Sequence, residues 1–291
     1  VLAETIGVTE TIIGNWNAAN PARRDSFVLA TKHSVLNGSF VRPGQEITGA
    51  TFTETLDASL KRLKTDYVDI YQLHWPNRGS YMFRQNWTYD PSGQDKAKTL
   101  DNMLEVLQAA DAAQKAGKMR HFALSNESTW GTAQWLRLAE AHDLPRVQTI
   151  QNEYSLMCRM YDTDLAELAV NEDVTLLAFS PLATGLLTGK YQNGAVPEGS
   201  RMSRGGDLGG RLTDRALLAV DAYLGVAKQF GLDPVHMALA FTVQRPFPVS
   251  TIFGATTSAQ LQHILDGLDT HLSDEVMAAL DATHKAHPMP Y

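Results

Sequence analysis

A single cysteine, Cys158, stands in a chain of 291 residues. No disulfide can therefore close within the chain, and no cysteine-rich zinc site can be built. Such usage suits a reducing cytoplasm, and a lone thiol without a supporting base reads as a small, partly buried residue. Long apolar runs are missing too. No stretch approaches the roughly 18 residues that a membrane span requires, and the N-terminus has neither a basic region nor an apolar signal core. Positive charge is in deficit, with 25 Lys and Arg against 32 Asp and Glu and a formal net charge of −7. That balance argues against nucleic acid or an anionic membrane as the main partner and leaves small molecules or other proteins. Two motifs are absent as well. No G-x-G-x-x-G stands at a first strand-to-helix turn, which argues against an ordinary dinucleotide-binding sheet. No H-E-x-x-H occurs, and the histidines at 33, 74, 121, 142, 236, 263, 271, 284 and 287 show no ligand-like spacing along the chain, so no metal is expected.

What the chain does have is alternation. Six short runs rich in β-branched and aromatic residues read as strands: 27–32 (FVLATK), 67–75 (YVDIYQLHW), 120–126 (RHFALSN), 147–155 (VQTIQNEYS), 174–182 (VTLLAFSPL) and 249–257 (VSTIFGATT). Helical patterns separate them, at 51–64, 99–118, the segment after Ser128, 161–173, 212–231 and the segment from Ser258. Strand followed by helix six times implies parallel strands joined by crossovers, either in a doubly wound sheet or in a (β/α) barrel. With 44% hydrophobic residues the chain can bury a large core.

The strand tips are polar. Lys32, His74, Ser125 with Asn126, Gln151 with Asn152, Ser180, and Thr256 with Thr257 end their runs. A ring of polar tips at one end is how a barrel builds a site. In YVDIYQLHWP, alternation sends Val68, Ile70, Gln72 and His74 to one face; in FVLATK it sends Val28, Ala30 and Lys32 inward. An ammonium and an imidazole would then share one mouth. Taken alone, His74 reads equally as a core histidine satisfied by a neighbour, and Lys32 as a strand-end lysine reaching water.

These residues resemble the aldo-keto reductase family, in its Tas-like and potassium-channel β-subunit-like branch. The motifs ATK, SLKRLKTDYVDIYQLHWP, AGKMRHFALSN, TIQNEYS, LLAFSPLATGLLTGKY and GATTSAQL follow the family's order at similar intervals, from about residue 4 to residue 285. The resemblance implies an α/β fold, a (β/α)8 TIM barrel forming a single domain over 1–291. It further implies NADPH lying across the C-terminal mouth and hydride transfer to the carbonyl of an aldehyde or ketone. On the family pattern Lys32 resembles the lysine that lowers a tyrosine pKa, and His74 the imidazole that orients the carbonyl. Ser125, Asn126 and Gln151 match the trio that holds the carboxamide, and Phe179 matches the aromatic stacked on the nicotinamide. Ser180, Leu182, Gly185, Lys190 and Arg201 belong to segments resembling the pyrophosphate-spanning region. Arg204 and Arg211 are expected to add positive charge there. Gly254, Thr256 and Gln260 resemble the 2′-phosphate motif, although the Glu-Asn pair that often follows stands here as His263 and Ile264.

The loop 75–98 carries Trp75, Tyr81 and Trp87, which either wall an apolar substrate pocket or pack on one another. Against the family pattern, the first two strands, with their catalytic tyrosine and aspartate, are expected to be absent from this chain. An incomplete barrel would leave open strand edges, so pairing with another copy is one expected outcome. The expected function is carbonyl reduction in the cytoplasm. The alternative is a catalytically slow or inactive NADP(H)-binding regulatory subunit.

Overall fold

The computed structural model of the chain describes residues 6–34 and 45–291. Among these, the strands are β1 (Ala30–His33), β2 (Val68–Leu73), β3 (Met119–Ser125), β4 (Val147–Gln151), β5 (Thr175–Ala178) and β6 (Val249–Thr251). Their order across the sheet is their order in the chain, and β1–β2, β2–β3 and β5–β6 pair in parallel. A doubly wound sheet reverses its order at a switch point, whereas sequential order with helical crossovers is the order of a (β/α) barrel. The nine helices of the described residues are α1 (Val8–Ala19), α2 (Gly49–Leu63), α3 (Lys96–Lys115), α4 (Thr129–His142), α5 (Asp164–Asn171), α6 (Asp214–Gln229), α7 (Pro234–Val243), α8 (Ser258–Asp266) and α9 (Asp274–Ala286). None is long and apolar enough to cross a membrane. The chain divides into two compact units, one of Val1–Tyr81 and Thr88–Ile150, the other of Met82–Trp87 and Gln151–Tyr291.

In the first unit α2 illustrates how local sequence sets an element. The Thr48 hydroxyl accepts from the Thr51 amide while the Thr51 side chain accepts from the Thr48 amide, which closes a capping box. Phe52, Leu56, Leu60 and Leu63 then fall on one buried face. Each contributes about 1.5–3 kcal/mol by burial. Lys64 ends the helix in the left-handed region at φ 50°. Helix α1 packs closely on α2 because Gly14 carries no side chain: a Cβ there would stand 2.0 Å from the Arg62 carbonyl oxygen. Asn17 Nδ2 donates to the Leu63 carbonyl at the same crossing, 2.9 Å away.

Strand β1 begins later than its sequence suggests. Val28, expected to share the inward face with Ala30 and Lys32, is 70% exposed. The face of this strand that packs carries Leu29 and His33, both buried, and His33 is held by Thr55 Oγ1 at 2.8 Å and Thr51 Oγ1 at 3.2 Å from α2. Leu29 is fixed further by its amide donating to Asp69 Oδ2 at 2.9 Å. Asp69 lies in a sequence of strand hydrophobes yet is buried, because Arg24 and Arg120 each donate to it at 2.8 Å. Burial works to raise its pKa, but the Leu29 amide and the two guanidiniums outweigh that and hold the carboxyl below the usual carboxylate range.

In the second unit the runs expected to continue to 155 and 182 leave the ladder earlier. Past β4 and β5 the backbone switches to isolated bonds: the Phe179 amide donates to the Asn152 carbonyl at 3.1 Å, and the Tyr154 amide to the Phe179 carbonyl at 3.2 Å. Ser180 follows with φ 56°, a conformation that extended strand cannot hold. Helix α7 has no counterpart among the sequence expectations. Its residues, PVHMALAFTV, are apolar on nearly every side, so the 3.6-residue period that marks a half-buried helix is lost.

Candidate active site

Strand register brings the first group of candidate residues together. Lys32 on β1 is paired with Gln72 on β2, and Gln72 with Ala123 on β3. Lys32, Gln72 and, two residues on, His74 therefore stand on one face at the C-terminal ends of adjacent strands, with Ser125 two residues beyond Ala123. The backbone continues this pairing past β2, where the His74 amide donates to the His33 carbonyl at 3.0 Å. Gln72 is fully buried and both side-chain polar atoms lack a hydrogen-bond partner among the described residues.

Burial pushes the His74 imidazole down to about 3, and the Lys32 charge lowers it further in the same direction. Burial also lowers the Lys32 ammonium. The ring at this tip is thus neutral at physiological pH, with one nitrogen donating and one accepting. Its Nδ1 lies 2.5 Å from Ser34 Oγ, and its ring stacks on Trp75 with centroids 4.2 Å apart. When the Ser34 hydroxyl donates to Nδ1, the ring proton resides on Nε2. Sequence reasoning missed Ser34, although it follows Lys32 by two residues and so lies on the same side of an extended chain.

Asn126, just past β3, sits in the left-handed region at φ 55°. A non-glycine residue there costs energy and is held by its surroundings. Its Nδ2 donates to the His74 carbonyl at 2.9 Å and to Ser125 Oγ at 3.0 Å, while Ser80 Oγ donates to its own carbonyl at 2.9 Å. The Asn126 Oδ1 is buried with no hydrogen-bond partner among the described residues. An orphaned buried acceptor is costly, and it suits a ligand that brings an N–H. Arg78 reinforces the same corner by pairing with the buried Glu127, whose carboxylate also accepts from the Ser128 amide at 2.6 Å. Neither Arg78 nor Glu127 was among the sequence candidates; charged residues flanking a motif carry no signal until their pairing is seen.

The loop aromatics separate. Trp75 is buried against His74; Tyr81 meets Tyr89 edge-on at 5.9 Å. In the second unit Trp87 is 57% exposed, with the Arg215 guanidinium 5.5 Å from its ring. A cavity of about 770 Å³ in the first unit is lined by Trp75, Arg78, Asn102, Ser125, Glu127 and Trp135 among others, but by neither His74 nor Lys32. It meets the strand-tip group at Ser125 and not at His74 or Lys32.

The second unit holds the remaining candidates. Gln151 closes β4 and Phe179 follows β5. The Ser180 carbonyl accepts from the Ala183 amide and the Leu182 carbonyl from the Gly185 amide, both at 2.8 Å, which winds the chain into consecutive tight turns. Gly185 has φ 99°, and any Cβ there would stand 2.9 Å from Lys190 Cε. Lys190 Nζ lies 5.1 Å from the centre of the Tyr191 ring, and Arg201 is exposed. Arg211 departs from expectation. Its side chain is buried and forks onto Glu153, with Nε to Oε1 at 2.7 Å and Nη2 to Oε2 at 2.8 Å. A guanidinium so engaged is committed to a carboxylate and does not add free positive charge to the glycine-rich segment. Past β6, the Gln260 Oε1 accepts from the Thr256 amide at 2.8 Å and its hydroxyl at 2.9 Å, so these two candidates and nearby Gly254 gather at the N-terminus of α8.

Comparisons with known proteins agree with this arrangement. The aldo/keto reductase family profile matches residues 5–285. The chain is 43% identical to protein Tas of Escherichia coli (strain K12) over 296 residues, covering 99% of this chain and 82% of that one. It is 34% identical to an aldo-keto reductase of Babesia bovis over 248 residues, 81% of this chain and 87% of the other. Against L-glyceraldehyde 3-phosphate reductase of Escherichia coli O157:H7 the identity is 30% over 272 residues, 89% of this chain and 70% of the other. Motif order, parallel strands in chain order, polar strand tips and the extent of these matches lead to one conclusion: the chain belongs to the aldo/keto reductase family, whose members are oxidoreductases on an α/β, (β/α)8-type fold.

Proposed function

We propose that the protein is an NADPH-dependent reductase of an aldehyde or ketone carbonyl, with Lys32 and His74 at the reacting oxygen. The observation that carries this reading is the neutral His74 ring at a strand tip beside the half-buried Lys32, in the same corner as the orphaned Asn126 acceptor, whose amide bonds the His74 carbonyl. When bound, NADPH supplies the hydride. The chain's own residues do the rest. In the first unit Asn126 Oδ1 would accept an N–H of the carboxamide, with Ser125 beside it. In the second unit Gln151 and Phe179 would hold the nicotinamide end, Ser180, Leu182, Gly185, Lys190 and Arg201 would hold the diphosphate, and Gly254, Thr256 and Gln260 would take the 2′-phosphate at the N-terminus of α8, which favours an anion.

His74, its Nδ1 accepting a hydrogen bond from the Ser34 hydroxyl, donates Nε2–H to the carbonyl oxygen and orients it. A neutral donor of this kind strengthens its bond as negative charge grows on that oxygen. Lys32 favours the same charge electrostatically, and its lowered pKa makes it readier to release a proton. Trp75, and Tyr81 in the same loop, form the apolar side of the substrate site. A relative named for reducing an aldehyde, L-glyceraldehyde 3-phosphate, supports a small aldehyde as substrate class.

The test is a fluorescence titration with NADPH and with NADH, on the wild type and on Asn126→Ala. Saturable quenching at micromolar NADPH, weaker with NADH and weakened by the substitution, is expected. A folded sample that binds neither nucleotide overturns the proposal.

A further inference from the structure

A second group of side chains, within the second unit, rests on none of the reductase reading. Asp233, His236 and His263 each offer a ligand-capable atom, and these atoms lie within 4.8 Å of one another. The histidine at 236 follows Asp233 by three residues across the start of α7, so both point to one side of the helix. The third residue comes from α8, 27 positions later in the chain. That separation is why spacing along the sequence gives no hint of the group.

The geometry points to a binding site for a divalent transition-metal ion, of which Zn²⁺ is the best match, held by Asp233, His236 and His263. Two of the three ligands, Asp233 and His236, already have their non-ligating atom anchored. Asp233 Oδ1 caps α7, accepting from the Val235 amide at 2.8 Å and the His236 amide at 3.0 Å. Its other oxygen, Oδ2, is turned to His263 Nε2 at 3.3 Å. Two ligands bound at about 2.0–2.1 Å and a tetrahedral angle stand roughly 3.3 Å apart. This pair therefore already has the separation of two ligands on one zinc ion. The ring of His236 is set by Nε2–H donating to the His263 carbonyl at 2.6 Å. With that proton committed, Nδ1 carries the lone pair. A backbone carbonyl holding the distal N–H is the usual way in which a metal-binding imidazole is oriented.

The two rings are tilted by 31° with centroids 4.7 Å apart, and a ligand-capable atom of each lies within 4.8 Å of the other and of the Asp233 carboxylate. His263 and Asp233 have side-chain exposures of 48% and 34%, which leaves a path for the ion and at least one position for solvent. Two imidazoles and one carboxylate select zinc, nickel or copper over magnesium or calcium. The net charge of −7 attracts any of them.

The experiment is isothermal titration of the untagged, nucleotide-free protein with ZnCl₂, repeated for His263→Ala, His236→Ala and Asp233→Asn, with MgCl₂ as the second titrant. Nucleotide is omitted because Gln260, three residues before His263, is a proposed cofactor contact. Asparagine keeps the helix cap, so that variant separates ligation from folding. One Zn²⁺ per chain is expected, with affinity reduced more than about tenfold in each variant and no heat from Mg²⁺. Cobalt substituted for zinc should give the visible absorption of a nitrogen–oxygen site in the wild type and lose it in His263→Ala. Absence of stoichiometric zinc binding, or binding of unchanged affinity in both histidine variants, overturns the assignment.

Discussion

Replacing His74 with glutamine should change how stability depends on pH, by an amount the structure sets. Burial, then the Lys32 charge, bring the folded-state pKa of His74 down to about 3, against about 6.5 for an imidazole in an unfolded chain. Between those values the unfolded chain binds a proton that the folded chain does not. This group therefore costs nothing above pH 6.5 and costs about 1.4 kcal/mol for each pH unit below it. Going from about pH 7 to about pH 5 removes roughly 2 kcal/mol, or about 4–8 °C in Tm for a chain of this size. Glutamine cannot titrate, and its amide can still meet Ser34. Thermal melts of both proteins at the two pH values isolate the effect, because every other titrating group cancels in the difference. The gap in Tm should move by that amount in favour of the variant on acidification. Parallel pH dependence in the two proteins would refute the claim that His74 is held neutral.

Asp69→Asn should destabilise by about 3–5 kcal/mol at neutral pH, because it leaves the half-buried Arg24 guanidinium without its carboxylate. Since the Asp69 pKa is depressed, that stability is present above about pH 4 and lost below it, so melts of variant and wild type should converge in acid. Glu153→Gln should cost a similar 3–5 kcal/mol in chemical denaturation, because the buried Arg211 and the Arg84 beside it share that one carboxylate. Ser34→Ala should lower kcat on an aldehyde by about tenfold with little change in NADPH affinity, as expected of a residue that fixes a catalytic tautomer. An unchanged kcat would remove it from the account.

Much of this was legible beforehand because the signals are local. Six strand runs read by β-branched content each overlap one of six strands, and register places Lys32, His74 and Ser125 on one face at the ends of β1, β2 and β3, whereas Ser180, Thr256 and Thr257 lie beyond the ends of β5 and β6. What escaped was long-range. His33 looks like a strand-end residue but is a core histidine, since only the tertiary fold places Thr55 and Thr51 against it. Arg211 looks like free positive charge until Glu153 is seen to take it, and a buried ion pair leaves no mark in the composition of its segment. Helix α7 lacked amphipathic period, and Val28 was read inward although β1 packs through its other face. The Asp233, His236 and His263 group needed two helices to meet.

On the proposed function, His74 acts on the carbonyl oxygen and not on the cofactor. Steady-state kinetics with an aldehyde, alongside NADPH titration, for wild type and His74→Ala test it most directly. Nucleotide affinity should stay within about twofold and kcat/KM should fall by about 10²–10³, the usual cost of removing one transition-state donor. Unchanged kcat/KM, or a loss confined to NADPH affinity, would contradict it.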